Sequence, residues 1–525
     1  MVVGLAAALR LPGLDARGMF DADQGRHMLV LRAFVFDGVV PLLGPSTSIG
    51  NAHHGALYYL LLAPAAALSG ASPVAVTLEI ALAGVVAVGA VAWLARSIGG
   101  TAAGFIAGIL YAVSASAVAQ SVFIWNPNLI GAASAIALAA AWQAWSTRNA
   151  GWWLVAGAAA VATAQFHVLG AILTPILVTL LVADSRRRMR DIGDTGVIRR
   201  VAAGWVVIGL ILYLPLIVHE LTTGGAEVRA LMAFMTGGGE APSVGLPIRI
   251  VVIGLRVLCW PLTGLLTDAP AVSIVTAVSV LTLSVWLARR RRGAPVEAPA
   301  MAARWLGVGL LWTVIALSVG SPNLATVVPG LPNDDYHAFA DPMVVVLVGV
   351  GLASVLRRAP GSRAAGVGRF AAVAAVVVLL GWNLTHQPPP IAPDGGWLAA
   401  RDAAARVTAS AGSAPLLLAS LPIFKGDDAL RMPLEAAGAN VVPAPSPSTG
   451  AGPVAPPVST AAWVVLCDDR FRESIGLSCG GAAEDAWLRD PRSGFGGSGG
   501  TPRSATLRFE AAPGRWISVY DPPVR

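Results

Sequence analysis

The segment FDADQGRH, residues 20–27, sets two carboxylates, Asp21 and Asp23, close to one guanidinium, Arg26. It follows a short apolar stretch that meets its first charge at Arg10, so both carboxylates fall at a membrane–water boundary. A carboxylate there can deprotonate an incoming hydroxyl or amine while the lipid part of a second substrate stays in the bilayer. Partial desolvation raises the carboxylate pKa and makes it a better base. Arg26 is near enough to hold one carboxylate charged, or to bind a phosphate. The plainer reading is a pair of solvated loop aspartates with an ordinary ion pair. Spacing alone does not displace it.

The elements that must position these groups follow from composition. Of 525 residues, 55% are hydrophobic and 12% charged. Soluble domains carry about 25% charged residues, so too little polar surface remains to cover a water-facing globule. A mean hydropathy of +0.69 agrees. The apolar residues come in blocks of the length that crosses a bilayer core, about 20 residues. The net charge of +7 sits largely in arginines between such blocks. It reads as a topology signal and not as nucleic-acid binding. Lys425 is the single lysine.

About eleven transmembrane helices are expected. The first begins at Met1 and runs to about residue 14. The others fall near 74–95, 101–121, 128–146, 151–166, 168–184, 200–218, 270–288, 304–320, 343–358 and 367–384. The apolar piece before them, ALYYLLLAPAAAL, is short and contains Pro64, and reads as a helix at the interface. Threaded from a cytoplasmic N-terminus, every dense arginine cluster falls inside, as the positive-inside rule requires. These are Arg96, Arg148, SRRRMR (185–190) with Arg199 and Arg200, ARRRRG (288–293) with Arg304, and Arg357, Arg358, Arg363 and Arg369. The outer loops are then 13–73, 219–269 and 321–342, all long. Gly104 and Gly108 form a GxxxG, which supports close helix packing. The expected location is the plasma membrane, multi-pass, with the acidic loop and the C-terminus outside.

Residues 1–385 thus form the membrane domain, and QPPPIAPDGG (386–395 with its neighbours) reads as a linker. From 396 to 525 the pattern alternates: a helix over 396–410, a strand over 415–421 and a helix over 427–438. A Pro/Ser/Gly-rich loop follows at 443–459, then a strand over 462–469 and final strands near 505–510 and 515–520. This predicts a small extracytoplasmic α/β domain. It lacks a GxGxxG fingerprint, and the GFGGSGG run (494–500) reads as a flexible loop. Cys467 and Cys479 stand 12 positions apart in it, and a disulfide is expected if the domain lies outside the cytoplasm. Cys259 reads as an inert core thiol.

Taken in order, FDADQGRH, GPSTSIGNAHHGALYY (44–59), WNPN (125–128), QFH (165–167), YLPLIVHEL (213–221) and DYHAFADPMVVVLVGVGL (335–352) resemble the bacterial glycosyltransferase family 39 group. That group is related to protein O-mannosyltransferases and to the aminoarabinose transferase that modifies lipid A, and shares the GT-C fold. The resemblance covers roughly residues 10–355. It implies an α-helical, polytopic GT-C-like membrane glycosyltransferase. Such an enzyme takes a sugar from a polyprenyl-phosphate-linked donor and passes it to an extracytoplasmic protein, glycan or lipid acceptor. It implies inversion, with an acidic residue of the first outer loop as general base. Asp23 matches the family's leading aspartate best and Asp21 second. Where the family often has Asp-Glu, Gln24 follows Asp23, so the choice between the two stays open.

The resemblance also suggests partners for the donor and acceptor. Tyr336 and His337 are candidates for the lipid phosphate, with Arg26 and Arg256 as cationic alternatives; Arg256 lies within an apolar stretch, where a charge usually has a task. Arg249 reads as snorkelling. Glu220 is a candidate for sugar hydroxyls. His53 and His54 are candidates for substrate or a divalent cation, although two adjacent histidines make a poor metal site and a hydrogen-bonded turn is simpler. Tyr58 and Tyr59 read as interfacial aromatics, Tyr58 also as a substrate contact. His167 reads as a packed histidine. No cofactor follows from the motifs, and metal dependence stays open. A transporter of lipid-linked sugars and a non-catalytic partner in cell-envelope glycan assembly are the alternatives. The first would need ionisable groups deep in the spans or internal repeats, and neither is evident beyond Glu79 and Arg256.

Overall fold

The computed structural model describes residues 1–47, 52–236, 244–264, 266–289, 298–325, 334–357, 363–443, 461–489 and 504–521. Outside them lie the arginines at 290–292 and 358, residues 48–51 of the GPSTSIGNAHHGALYY segment, parts of the expected outer loops (237–243, 265 and 326–333), the loop at 444–459, and the glycine run at 494–500.

Helix α1 (Val2–Arg10) ends on a charge, but the charge is buried and satisfied. Arg10 donates to the carbonyls of Ala112 (2.8 Å) and Tyr111 (3.2 Å) and to Ser121 Oγ (3.2 Å). The acidic loop is itself largely helical, as α2 (Ala22–Asp37). Its buried face is mixed rather than apolar: polar Gln24 and His27 are buried beside Met28 and Leu31 at helical spacing. Strands β1 (Leu43–Ser46) and β2 (His53–Gly55) pair antiparallel, and α3 (Leu57–Ser69) follows.

The bundle then comprises α4 (Pro73–Val113), α5 (Ala115–Ala119), α6 (Ile130–Thr147), α7 (Gly151–Phe166), α8 (Leu173–Ile192), α9 (Val197–Leu212), α10 (Leu214–Thr223) and α11 (Ala226–Thr236). It continues through α12 (Leu246–Thr263), α13 (Pro270–Arg289), α14 (Ala298–Gly320), α15 (Asp341–Leu356) and α16 (Arg363–Thr385). Helix α4 is broken at Gly100, whose φ of 80° is outside the helical region. Its halves fold back tightly: a Cβ on Gly104 would meet Arg96 Cβ at 2.6 Å, and one on Gly108 would meet Ala92 Cβ at 2.8 Å. Helix α15 is almost wholly buried at the centre.

Among the described residues, 8 helices are long and apolar enough to cross a membrane, or up to 9 if the bent pair α9–α10 is one span. About eleven were expected. Helices α1 and α7, of 9 and 16 residues, are shorter than a full span, and α4 counts once. In the other direction, α12 qualifies although 245–266 was read as part of an outer loop. Its two arginines misled that reading. Arg249 donates to Ser318 O (2.7 Å), and Arg256 is buried and donates to Leu324 O.

The C-terminal part forms α17 (Gly396–Ala411), β3 (Leu416–Leu421), α18 (Asp428–Ala436), β4 (Val441–Pro443), β5 (Ala462–Asp468), α19 (Arg472–Ile475), α20 (Ala482–Arg489), β6 (Leu507–Ala512) and β7 (Arg515–Tyr520). The sheet order is β4-β3-β5-β7-β6. Strand β3 runs parallel to β4 and β5, while β7 is antiparallel to β5 and β6. Alternation along the strands buries both faces: Leu418, Val464 and Ile517 pack with α17 and α18, and Leu417, Val465 and Cys467 pack with α20. Cys467 and Cys479 are joined as a disulfide.

Candidate active site

Asp21 is the N-cap of α2. Its carboxylate accepts from Ala22 N (2.9 Å), and Gln24 Oε1 accepts in return from Asp21 N (2.9 Å), a reciprocal capping box. The same carboxylate is held by the C-terminal domain. Arg515 reaches it at 2.9 Å, Lys425 at 2.7 Å and Arg470 at 3.8 Å. Burial alone would raise the Asp21 pKa, but Arg515 and Lys425 overcome it and hold the group below the usual carboxylate range. Arg515, itself buried, also donates to Phe20 O (3.2 Å) and lies 3.8 Å from Asp394 and 3.7 Å from Asp468.

Asp23 is different. It is exposed, and among the described residues it accepts no hydrogen bond and forms no ion pair. The chain massed around it pushes its pKa up; Arg26 and then Lys425 oppose the rise, and Asp21 and Asp428 add to it. A carboxylate with raised pKa and free lone pairs is able to accept a proton. One turn further along α2, His27 Nδ1 lies 3.0 Å from Tyr58 Oη.

An aromatic wall continues from there. The His54 and His167 rings are 5.2 Å apart, His167 stacks on Tyr336 at 4.5 Å, and Tyr336 meets Trp125 at 5.7 Å. The QFH, WNPN and DYHAF segments, far apart in sequence, thus meet. Gln165 and Asn126 brace them, accepting from Leu57 N (3.3 Å) and donating to Phe166 O (2.6 Å) respectively.

Other candidates are engaged elsewhere. Glu220 accepts from the backbone of Glu227 (2.8 Å) and Val228 (3.3 Å), capping α11. His53 pairs with Glu227 at 3.0 Å. Tyr336 is half-buried, whereas its neighbour His337 is fully buried beside Trp260 and near Arg256. Arg26 pairs with Asp428 at 3.1 Å and stays half-exposed. Among the described residues, no three His, Cys, Asp or Glu side chains converge to hold a metal ion. Sequence motifs do not point to Lys425, Arg515, Asp394 and Asp428, because these lie hundreds of positions from α2. The only sequence signal was that Lys425 is the one lysine.

The contact between α2 and α18 is close. A Cβ on Gly25 would lie 2.0 Å from Asp428 O. Gly25→Ala is therefore expected to push the C-terminal domain off α2, costing about 1–3 kcal/mol. Faster protease nicking of that domain and a lower thermal midpoint would show it; an unchanged midpoint would contradict the packing.

Acid should weaken the same region. Burial, then Arg26 and His54, push His27 down from 6.5 to about 3; burial, then His53, push His54 to about 4. Both are neutral in the fold but protonate below about 6.5 when unfolded. The unfolded chain then binds more protons, so the stability present above 6.5 is lost as pH falls from there toward 4. The thermal midpoint in detergent is expected to drop between about pH 7 and pH 5, and to drop less in His27→Phe.

Residues 53–219 match the family model described as dolichyl-phosphate-mannose-protein mannosyltransferase. Among solved structures, ArnT from Cupriavidus metallidurans in the apo state aligns with a TM-score of 0.60 at 14% identity, covering 99% of this chain and 97% of that one. The same protein bound to undecaprenyl phosphate aligns with a TM-score of 0.58 at 13% identity, with the same coverage. No curated protein sequence matches. The expected resemblance is borne out at the level of fold: this is a multi-pass membrane protein with the GT-C architecture of membrane glycosyltransferases, carrying a C-terminal sheet domain.

Proposed function

We propose that the protein transfers a sugar from a polyprenyl-phosphate-linked donor to an acceptor outside the cytoplasm, with Asp23 as general base. The observation that carries this reading is the contrast between the two aspartates. Asp21 is consumed by a cap and three cations, while Asp23 is exposed, without an ion pair among the described residues, and raised in pKa near the aromatic wall. A GT-C relative that binds undecaprenyl phosphate supports the donor class.

In the proposed step the acceptor oxygen attacks the anomeric carbon opposite the phosphate. The carbon–oxygen bond to phosphate breaks and its electron pair leaves with the phosphate. The acceptor proton passes to Asp23. One displacement inverts the anomeric centre. A phosphate leaves as a stable anion and needs no strong acid, so the protein's tasks are positioning, proton removal and charge stabilisation. Arg26 and Tyr336 are accessible enough to meet the phosphate. His337 and Arg256, buried beneath, support the wall instead.

Helix direction supports the proposed sidedness. Gln24 Nε2 donates to Ile124 O (3.0 Å) near the start of α6, whereas α6 ends near Arg148, whose carbonyl receives Arg188. Arg357, just past the end of α15, reaches Gly99 O at the break of α4. These arginines lie at the end of the bundle away from Asp23, which supports an outer-face site by the positive-inside rule.

The test is incubation of purified protein with undecaprenyl-phosphate-linked hexoses and pentoses, labelled in sugar and lipid. Release of free undecaprenyl phosphate with transfer of the label is expected. Movement of intact donor across a vesicle membrane would favour a transporter. Neither outcome would favour a non-catalytic partner.

A further inference from the structure

The chain has 36 basic Lys and Arg residues, of which one is lysine, and the fold places that lysine at the candidate base. Lys425 ends the short turn Ile423–Lys425 that follows β3. The turn is fixed by Lys425 N donating to Pro422 O (3.1 Å) and Gly426 N to Ile423 O (3.2 Å). Lys425 Nζ lies 2.7 Å from Asp21 Oδ2 and 5.2 Å from the centre of the Phe471 ring. Its side chain is half-buried, so its field is only partly screened.

We propose that Lys425 is a positioning residue for the transfer, which holds the N-terminus of α2 through Asp21 and sets a positive charge from the C-terminal domain beside Asp23. This rests on the reading of Asp23 as base. Arg515 already meets Asp21 at 2.9 Å from a buried position, so the cap does not need a second full ion pair to be neutralised. Asp23 follows Asp21 by two positions, and the Lys425 charge opposes the rise of its pKa, second to Arg26.

The groups around Asp23 make the balance explicit. Asp21 and Arg26 face it from the start of α2, Lys425 from the turn after β3, Asp428 from α18, and the Tyr58 and Tyr59 phenols from α3. Arg515 and Arg470 reach Asp21 from β7 and the segment after β5. Three carboxylates, Asp21, Asp23 and Asp428, thus face Arg26 and Lys425, with Arg515 and Arg470 shared between Asp21 and Asp468. Removing Lys425 takes away one of the two cations that oppose the rise at Asp23, and Asp23 then holds a proton to higher pH. A smaller share of the protein carries the ionised base near neutrality. The C-terminal domain on this account is part of the reaction site and not only its cover.

The experiment reads Asp23 directly, without substrate. A water-soluble carbodiimide with an amine couples to protonated carboxyls, and mass spectrometry of the full-length protein's peptides gives the extent at Asp23 from pH 4 to 7. In Lys425→Gln the midpoint is expected to rise by about half a unit to one unit. Lys425→Arg is expected to keep the wild-type midpoint and a stable fold. An unmoved midpoint in Lys425→Gln overturns the proposal. So does an equal shift or an equal loss of fold in both variants, since the effect would then be steric. Undecaprenyl phosphate release by wild type and Asp23→Asn is scored in parallel. A wild type that releases nothing would sink the transferase reading while leaving the titration result standing.

Discussion

Asp23→Asn lowers sugar transfer by about 10²–10⁴-fold, the usual worth of a positioned general base, and leaves the thermal midpoint where it was. Both halves of this expectation come from one geometry. Asp23 accepts no hydrogen bond among the described residues, so an amide in its place orphans nothing. The amide cannot take the acceptor's proton. The effect should fall on kcat, because the missing contact is to a proton that moves in the transition state. Single-turnover release of undecaprenyl phosphate together with a melting curve checks both halves. Near-wild-type turnover in a folded Asp23→Asn protein would remove this residue from the chemistry.

Arg515→Met produces the opposite pattern. It removes a buried guanidinium that binds Asp21, Phe20 O and the neighbourhood of Asp394 and Asp468, and it leaves those carboxylates without their shared partner. Breaking one side of such a buried pair costs about 3–5 kcal/mol. The C-terminal domain should loosen from α2 and become protease-sensitive, with activity lost through instability. Asp21→Asn breaks the same network from the other side, and the double variant should cost less than the two single losses added, because they share partners. Additive losses would show that the two groups act independently.

Much of this fold was legible because a bilayer and a sheet each impose a period. Four of the tail's described strands fell within a residue or two of their observed places, since β3, β5 and β7 alternate or run apolar between turn residues, while the three-residue β4 was not expected. Most spans were legible for the same reason. What failed was charge inside an apolar run: Arg249 and Arg256 made α12 look like a loop, because carbonyl acceptors on other elements cannot be seen in a linear chain. Helix α2 hid for the converse reason. It is polar overall, and its cap at Asp21 read as chemistry rather than as a helix start. That same cap separates two aspartates the motif could not tell apart. The partners that set Asp21 aside, Lys425 and Arg515, lie some 400 to 500 positions along the chain. Spacing carries no information over that distance.

Asp23→Cys offers the most direct view of where this carboxylate stands. Cys259 is buried, and the other two cysteines are joined to each other, so a membrane-impermeant maleimide reports on position 23. In sealed vesicles of known orientation the cysteine should label from the extracytoplasmic side only, and added undecaprenyl phosphate should slow the labelling. Labelling solely from the cytoplasmic side, or at a rate the lipid phosphate does not change, would contradict an outer-face base beside a lipid-linked donor.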